Sequence, residues 1–511
     1  MTELSPLTGS RLALMTISLS LAIFMNVLDI SIANVAIPTI AGDLGVSPDN
    51  GTWVITSFAV SQAIMLPLTG WLARRFGEVR LFLYSTALFT LASVLCGLSE
   101  NLPMLIFFRV IQGAVSGPMI PLSQSILLAN YPPEKRGMAT GIWAMTAVVG
   151  PIFGPIMGGI ITDNYTWPWI FYINVPVGIF SVIFTMITLT GRETPTVKRP
   201  IDYIGLILLI IGIGCLQILL DKGYDLDWFH SNVIVTLGIT SLISLSFLVI
   251  WLLTQCDPII DLYLFRNRNF TIGVICLTAG FLVYFSNVVI FPLWLQTQMG
   301  YTPTWAGLAA APVGILPFLL TPFVGNYMDR FDLRIMISFG FFVFLVTSYW
   351  QSNFYTDVGF LQLIEPRFIQ GLGLAFFFTP LIAMILAEMQ PEKMASALGL
   401  ANFFRILGGS FGTSISVTIW NNREALHQSH LVEYINNYNP FSIQAIDQLK
   451  TLGISELKAY GVLYATVINQ AFMLATNDIF RLSAWVFILL LGLIWLAKPT
   501  FVKSKGPIAA E

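Results

Sequence analysis

Apolar runs of about 20 residues recur along almost the whole chain, separated by short clusters of charged and turn-forming residues. A helix of about 20 residues crosses roughly 30 Å of hydrocarbon. The strands of a membrane barrel would instead alternate apolar and polar positions. The pattern therefore predicts an all-α membrane protein with fourteen transmembrane helices, near residues 14–36, 52–73, 80–98, 104–128, 139–162, 168–190, 204–221, 232–253, 272–298, 304–326, 333–350, 361–387, 397–420 and 479–497.

The composition is that of a membrane protein, since 56% of the residues are hydrophobic and only 10% are charged. A typical soluble domain has roughly a quarter of its residues charged, so a water-soluble fold is excluded. The net charge of −2 indicates no nucleic acid among the partners. The four cysteines are scattered in or beside apolar runs, so neither a disulfide nor a metal site is predicted.

The distribution of basic residues predicts the orientation of the chain. If the N-terminus is cytoplasmic, the basic residues at 74–80, 135–136, 192–199, 266–268, 330–334, 393 and 498–505 all face the cytoplasm. Lys222 is then the only basic residue in the short loops of the opposite side. We therefore expect a multi-pass protein of the bacterial inner membrane with both termini in the cytoplasm.

One long polar segment, at 421–478, is predicted as an external loop between the last two spans. It has room for an element that binds a partner or acts as a gate. His427 and His430 lie three residues apart in it and could in principle hold a metal. No carboxylate or thiol completes such a site in the sequence nearby, so solvated loop histidines are the favoured interpretation.

Several motifs occur twice at one offset, which indicates an internal repeat. At 258 residues' distance, Arg109-x-x-Gln112-Gly113 recurs as Arg367-x-x-Gln370-Gly371, and Gly150 and Gly154 recur as Gly408 and Gly412. The repeat predicts two six-helix halves, at 14–190 and 270–497, with two inserted helices at 204–253. Parallel repeats of this kind place a substrate site between the halves near the bilayer midplane, and transport follows from rocking one half against the other.

Asp29 lies past the middle of the first predicted span, where a charge costs about 2.5–3.5 kcal/mol. Such a residue normally faces the protein interior, and burial disfavours its charged form. Asp29 is therefore predicted to carry a coupling proton, the alternative being a static pair with a donor on another helix. Asn26, one turn earlier on the same face, and Asn34 are candidates for the substrate cavity.

Arginines in the spans are the basic candidates. Arg109, near the external end of the fourth span, is predicted to pair with Asp29, the alternative being that it snorkels to the interface. Gln112 follows on the same helix and is a candidate for the cavity. In the second half, Glu365 and Arg367 are predicted to form a static local pair. Arg405 either lines the cavity or reaches the cytoplasmic surface, and the sequence leaves both open.

Two glycine-containing motifs are candidates for conformational roles. In the fifth span the residues are Gly150, Pro151, Gly154, Pro155, Gly158 and Gly159, of which Gly150, Gly154 and Gly158 share a face that permits close helix approach. Between the second and third spans they are Gly70, Gly77 and Arg80, echoed in the second half by Gly325, Asp329 and Arg330. The alternatives are generic tight packing for the first motif and plain orientation by positive charge for the second.

These motifs, together with the string from Asp29 to Pro38, resemble the major facilitator superfamily, and specifically its fourteen-span drug:proton antiporters. The resemblance extends from about residue 10 to about residue 500. It departs at Arg74, where the family usually carries an acid that the second-half copy keeps as Asp329. A conformational latch built on that acid is therefore in doubt in the first half.

The resemblance implies export of lipophilic small molecules in exchange for protons, with the proton gradient as the energy source and no other cofactor. It also implies a periplasmic membrane-fusion adaptor and an outer-membrane channel as partners, for which the segment at 421–478 offers a binding surface. Three rival interpretations remain. They are a proton-coupled importer on the same fold, a membrane receptor that transports nothing, and a hydrolase built on Gly408-x-Ser410-x-Gly412, which would need a strand where the sequence predicts a helix.

Overall fold

The computed structural model describes residues 6–46, 48–132, 135–197, 202–255, 258, 260–328, 330–436 and 438–499. Within these ranges all regular structure is helical. The α-helices are α1 Gly9–Asp43, α2 Pro48–Gly51, α3 Trp53–Phe76, α4 Glu78–Gly97, α5 Leu102–Ser116, α6 Met119–Asn130, α7 Arg136–Asn164, α8 Trp169–Tyr172, α9 Asn174–Leu189, α10 Tyr203–Lys222, α11 Asn232–Thr254, α12 Arg268–Thr297, α13 Pro303–Ala310, α14 Ile315–Tyr327, α15 Leu333–Gln351, α16 Phe360–Leu386, α17 Met394–Val432, α18 Pro440–Thr451 and α19 Glu456–Leu493.

The all-α membrane fold predicted from the apolar runs is confirmed. Twelve helical segments of the described chain are long and apolar enough to cross a membrane, with α5–α6, α8–α9 and α13–α14 each contributing to a single segment. The two remaining predicted spans, at 139–162 and 397–420, lie in α7 and α17. These helices run over 29 and 39 residues and contain the glycine-rich sequences of the fifth and thirteenth predicted spans.

The two predicted halves are built on the same packing pattern. In the first, α1 packs against α7 and α9, and in the second, α12 packs against α17 and α19. The halves meet where α7 lies against α14 and α3 lies against α17. At these crossings Gly137 contacts the backbone of Gly325, and Gly70 contacts Ser396, so neither helix pair has room for a larger side chain. The seam is therefore closed at the helix ends that carry the basic loops.

The inserted helices α10 and α11 pack against each other, and α10 also lies against α3 of the first half and α17 of the second. On the second-half side, Gln217 Nε2 donates to Ser410 Oγ at 2.8 Å, and Trp228 Nε1 donates to Thr418 Oγ1 at 2.9 Å. On the first-half side, Lys222 donates to Thr52, the residue that precedes α3. The insertion thus bridges both halves at the end opposite to the closed seam.

The prediction of a long loop at 421–478 was wrong in its structure. Helix α17 continues to Val432, α18 follows, and α19 begins at Glu456, so most of the segment is helical and forms a hairpin. We call residues 421–478 the external hairpin, because the distribution of basic residues predicts that they lie outside the cytoplasm. Hydropathy alone marked where the apolar core ends, but a polar helix can continue past that point when its neighbour continues as well.

The base of the external hairpin is held together by Asp478. Its carboxylate accepts from Arg423 Nε at 2.7 Å and lies 2.7 Å from His427 Nε2. Arg481 Nη1 is 4.0 Å away. His427 is therefore bound to a carboxylate, and the interpretation as a solvated loop histidine was wrong for it. Among the described residues there is no cluster of three His, Cys, Asp or Glu side chains that could hold a metal.

We expect Asp478→Ala to loosen the external hairpin, because it leaves two arginines and a histidine without their shared acceptor. A hydrogen bond to a charged group contributes about 1.5–3 kcal/mol. Hydrogen exchange of backbone amides in residues 421–478 should accelerate, while exchange in α1 stays unchanged. Asp447→Ala is the control, because Asp447 is exposed in the same hairpin. Equal exchange in both variants would contradict the role of Asp478.

Candidate functional site

A buried ion pair lies in the interior of the first half. Asp29 of α1 is 2% exposed, and Arg109 of α5 is fully buried. The distance between Arg109 Nη1 and Asp29 Oδ2 is 2.5 Å. The structure thus brings the two charged candidates of the first half together, and the interpretation of Arg109 as a residue that snorkels to the interface was wrong.

The local sequence explains why Arg109 reaches this place. Asn101 caps α5 by accepting a hydrogen bond from the Met104 amide at 2.9 Å, and Pro103 lies in the first turn, where its missing N–H costs nothing. The helix ends at Ser116, where Gly117 and Pro118 separate α5 from α6. Arg109 therefore lies two turns inside a well-defined helix start.

The Asp29 carboxylate accepts hydrogen bonds from two amides in addition to Arg109. Asn174 Nδ2 of α9 donates to Oδ1 at 2.8 Å, and Gln112 Nε2 donates to the same oxygen at 3.2 Å. Both amides also donate to Ser93 Oγ of α4, at 3.3 and 2.8 Å respectively. These donors offset the desolvation of a buried charge, and they join four helices in one network.

Arg109 has further partners that do not involve Asp29. Its Nε donates to the Val54 carbonyl oxygen at 2.9 Å, and its Nη1 donates to Gln112 Oε1 at 2.7 Å. The guanidinium lies over the Phe58 ring, 4.3 Å from its centroid. Nη2 is buried and has no hydrogen-bond partner among the described residues. The arginine is thus held in position even when Asp29 is neutral.

A second polar cluster lies one turn away. Gln62 Nε2 of α3 donates to Asn26 Oδ1 at 3.3 Å and to Ser116 Oγ at 3.0 Å. Sequence reasoning identified Asn26 but missed Gln62, Ser93 and Asn174. Their signal was the same as that of Asn26, a strongly polar side chain inside an apolar run. The side chain of Asn34 lies outside the described residues.

The equivalent place in the second half has a different charge balance. Gly154 contacts Ser31 of α1 and Gly412 contacts Leu282 of α12, so the counterpart of Asp29 on α12 is Gly280, which carries no charge. Arg367 Nη2 donates to the Asn287 carbonyl oxygen at 3.0 Å, and Nη1 donates to Gln370 Oε1 at 3.2 Å. Glu365 is exposed, and no ion pair joins it to Arg367 in the described chain. The predicted static pair was wrong. Glu365 and Arg367 are two positions apart in α16, and side chains at that spacing point about 200° apart around the helix axis.

Arg405 of α17 is buried and does not reach the cytoplasmic surface. Its Nε donates to Asn402 Oδ1 at 3.1 Å, and its guanidinium lies 5.1 Å from the centroid of Phe281 and 5.9 Å from that of Phe378. The Phe378 ring in turn packs on Trp143 of α7, with 5.9 Å between centroids. Of the two alternatives that the sequence left open, the structure supports the interior one.

The glycines of the fifth span place α7 directly against α1. Gly150 contacts Val27, and Gly154 contacts Ser31, so the contact flanks Asp29 on both sides. Gly158 is buried on the same helix, whereas a side chain at Gly159 would meet open space. In the second half, Gly408 and Gly412 contact Thr278 and Leu282 of α12 in the same way. The side chains of Pro151 and Pro155 lie outside the described residues.

The loop between α3 and α4 is built around Glu193. This carboxylate accepts from the backbone amides of Val79 at 3.0 Å and Arg80 at 2.9 Å, the first turn of α4. Gly77 has φ of 89°, and a side chain there would collide with Glu193. The Arg80 side chain is exposed, 3.8 Å from Glu193. In the second-half copy, Arg330 lies over the Tyr327 ring, and Asp329 lies outside the described residues.

Comparison with known proteins identifies close relatives. The family model of the Major Facilitator Superfamily matches residues 19–413. The chain is 52% identical to the multidrug export protein EmrB of Escherichia coli K12 over 507 residues, 99% of each chain. It is 48% identical to the fatty acid resistance protein FarB of Neisseria gonorrhoeae over 501 residues, 98% of this chain and 99% of that one.

Solved structures share the fold at low sequence identity. The human organic anion transporter MFSD10 superposes with a TM-score of 0.58 at 11% identity, covering 95% of this chain and 100% of that one. A double tryptophan mutant of XylE superposes with a TM-score of 0.57 at 15% identity, covering 96% and 100%. At these identities the likeness concerns the fold alone.

We expect Gly154→Ala to destabilise the fold, because its methyl group would meet the backbone of Ser31. Overpacking of this kind costs about 1–3 kcal/mol. Gly159→Ala is the matched control, since its methyl group meets open space and alanine favours a helix over glycine by about 1 kcal/mol. Thermal unfolding of the purified variants should give a lowered midpoint for the first only. Equal midpoints would contradict the tight α1–α7 contact.

Proposed function

This chain belongs to the Major Facilitator Superfamily, and from that premise we propose that it exports hydrophobic or amphipathic toxic compounds across the bacterial inner membrane in exchange for protons. Its identity to proteins named for multidrug export and for fatty acid resistance, over nearly their full length, supports efflux of small molecules. The observation that carries the coupling is the buried pair of Asp29 and Arg109, which joins two helices that are long and apolar enough to cross the membrane.

Proton binding to Asp29 converts a charged acceptor into a neutral acid. The contact with Arg109 then ceases to be an ion pair and becomes a weaker hydrogen bond from a cation to a neutral acid, while the arginine keeps the Val54 carbonyl and the Phe58 ring as partners. Asn174, Gln112 and Ser93 exchange partners around the neutral acid. Since these residues come from α1, α4, α5 and α9, protonation changes the packing of one half as a unit and biases its orientation relative to the other half.

We infer that the described conformation is the outward-facing one. The seam between the halves is closed where Gly70 meets Ser396 and Gly137 meets Gly325, next to the basic loops that are predicted to be cytoplasmic. In this state a proton from the external side reaches Asp29 and exported substrate leaves to the same side. Return to the inward-facing state requires these glycine contacts to separate, and release of the proton inside then resets the cycle.

The external hairpin is the part of the chain that suits a periplasmic membrane-fusion adaptor. Its tip carries large apolar side chains that are almost fully exposed: Tyr438 at 95%, Leu457 at 84%, Phe441 at 80% and Leu452 at 77%. Exposed apolar patches of this kind mark protein–protein contacts. The hairpin projects beyond the apolar spans, so an adaptor bound there links the transporter to an outer-membrane channel.

We expect Asp29→Asn to abolish coupling in liposomes under an imposed pH gradient, because an amide can neither bind nor release the proton. Lipophilic compounds should evoke proton flux with the wild type and none with the variant, which should still bind them. Asp357→Asn is the control, since Asp357 is an exposed acid. Proton flux at the wild-type rate in Asp29→Asn would refute the role of Asp29, and no flux with any compound in the wild type would refute antiport.

We expect the double variant Phe441→Ser and Leu457→Ser to separate export in the cell from transport in liposomes. Loss of the apolar tip should lower the resistance of a drug-sensitive bacterium severalfold, while drug-evoked proton flux in liposomes stays at the wild-type rate. Tyr355→Ser, in an exposed position outside the hairpin, is the control. Unchanged resistance in the double variant would argue against the tip as the docking surface of an adaptor.

A further inference from the structure

The charges buried in the two halves do not balance in the same way. In the first half, Asp29 and Arg109 neutralise each other. In the second half, Arg367 and Arg405 are both buried, and within the described ranges neither has a carboxylate partner. An unpaired buried charge is costly, so each of these arginines needs some other source of compensation.

The charge of Arg367 is stabilised by neighbouring groups of its own half. Two of its nitrogens donate to the Asn287 carbonyl and to Gln370, and its guanidinium lies 3.9 Å from the centroid of Phe291. Arg367 is the repeat counterpart of Arg109 and has the same neighbouring glutamine, but its backbone acceptor lies on α12, whereas that of Arg109 lies on α3. Its place is therefore explained by the packing of the half to which it belongs.

The charge of Arg405 is stabilised by fewer hydrogen bonds than that of Arg367. Only Nε has a hydrogen-bond acceptor, Asn402 Oδ1, and in the described part of the chain the two terminal nitrogens have none. Those nitrogens form the planar fork that binds a carboxylate with two parallel hydrogen bonds. Asn402 therefore holds one edge of the guanidinium, and among the described residues the fork on its other edge has no hydrogen-bond partner.

Arg405 lies at the depth and beside the contact between halves where parallel repeats are expected to place a substrate site. Phe281, on which the guanidinium stacks, lies close to the middle of the 30-residue helix α12, and hence near the bilayer midplane. Phe378, its other aromatic neighbour, packs on Trp143 of the opposite half. Arg405 therefore lies at midplane depth beside the contact between the halves. Aromatic rings around a cation offer apolar surface for the body of a lipophilic molecule.

We propose that Arg405 recognises the anionic group of the exported substrate, so that the transporter favours lipophilic anions such as carboxylates over lipophilic cations of the same size. This inference rests on the export function proposed above and assigns the charge preference to one residue. The two terminal nitrogens bind the anionic oxygens, and the rings of Phe281, Phe378 and Trp143 contact the apolar body. A cationic substrate meets no free carboxylate there, because Asp29 is neutralised by Arg109 and lies on another helix.

The test compares two amphiphiles of equal chain length, dodecanoate and dodecyltrimethylammonium, with protein reconstituted in liposomes under a pH gradient. Proton flux evoked by each compound gives its KM for the wild type, Arg405→Gln, Arg405→Lys and Arg266→Gln. Arg266 is the matched control, because it also stacks on an aromatic ring, that of Tyr263, but is exposed at the start of the second half.

We expect the KM for dodecanoate to rise about tenfold or more in Arg405→Gln and less in Arg405→Lys, which keeps the charge but loses the fork. The KM for dodecyltrimethylammonium should change less than twofold, and that flux also demonstrates that the variant is folded. If both compounds lose affinity equally in Arg405→Gln and Arg405→Lys, or neither does, Arg405 does not select the charge. If the wild type responds to neither compound nor to other lipophiles, the export function itself fails, which is a separate outcome.

Discussion

The ion pair of Asp29 and Arg109 is the constraint on which the rest of the first half depends. A charge on either residue alone would be prohibitive in the apolar interior, and breaking a buried pair by removing one partner typically costs about 3–5 kcal/mol. The surrounding amides of Gln112 and Asn174 and the hydroxyl of Ser93 complete the hydrogen bonds of the pair. Four helices are thereby committed to one arrangement for as long as the carboxylate is charged.

Close contacts between helix backbones surround this polar network and hold α1 in position. Because Gly150 and Gly154 let α7 lie directly on α1, the helix that carries Asp29 is fixed against a neighbour that also contacts the opposite half through Gly137. A change of charge at Asp29 therefore acts on the α1–α7 contact and, through α7, on the seam with α14. At the other end, α7 also contacts α13, and α10 is hydrogen-bonded to both halves.

Much of the fold could be predicted from the sequence, because apolar runs of membrane-spanning length leave few alternatives to helices. Asp29 and Arg109 could be identified, and their pairing predicted, because a charge within such a run demands a partner, although the two residues lie 80 positions apart. Gln62 and Asn174 were missed since one polar residue in a span is common. The external hairpin was missed for another reason, as hydropathy reports where lipid contact ends and says nothing about where a helix ends.

The repeat explains how one fold obtained two different charged sites. Arg109 and Arg367 occupy matching positions with the same glutamine as a partner, and each donates to a backbone carbonyl, but the counterpart of Asp29 on α12 is Gly280. Both halves therefore inherited an arginine that its own half can hold in place without an acid. Adding an acid in the first half makes that arginine responsive to protons. Without an acid in the second half, Arg367 stays charged and held by its own half, and Arg405 is the buried cation that binds an anion where the halves meet.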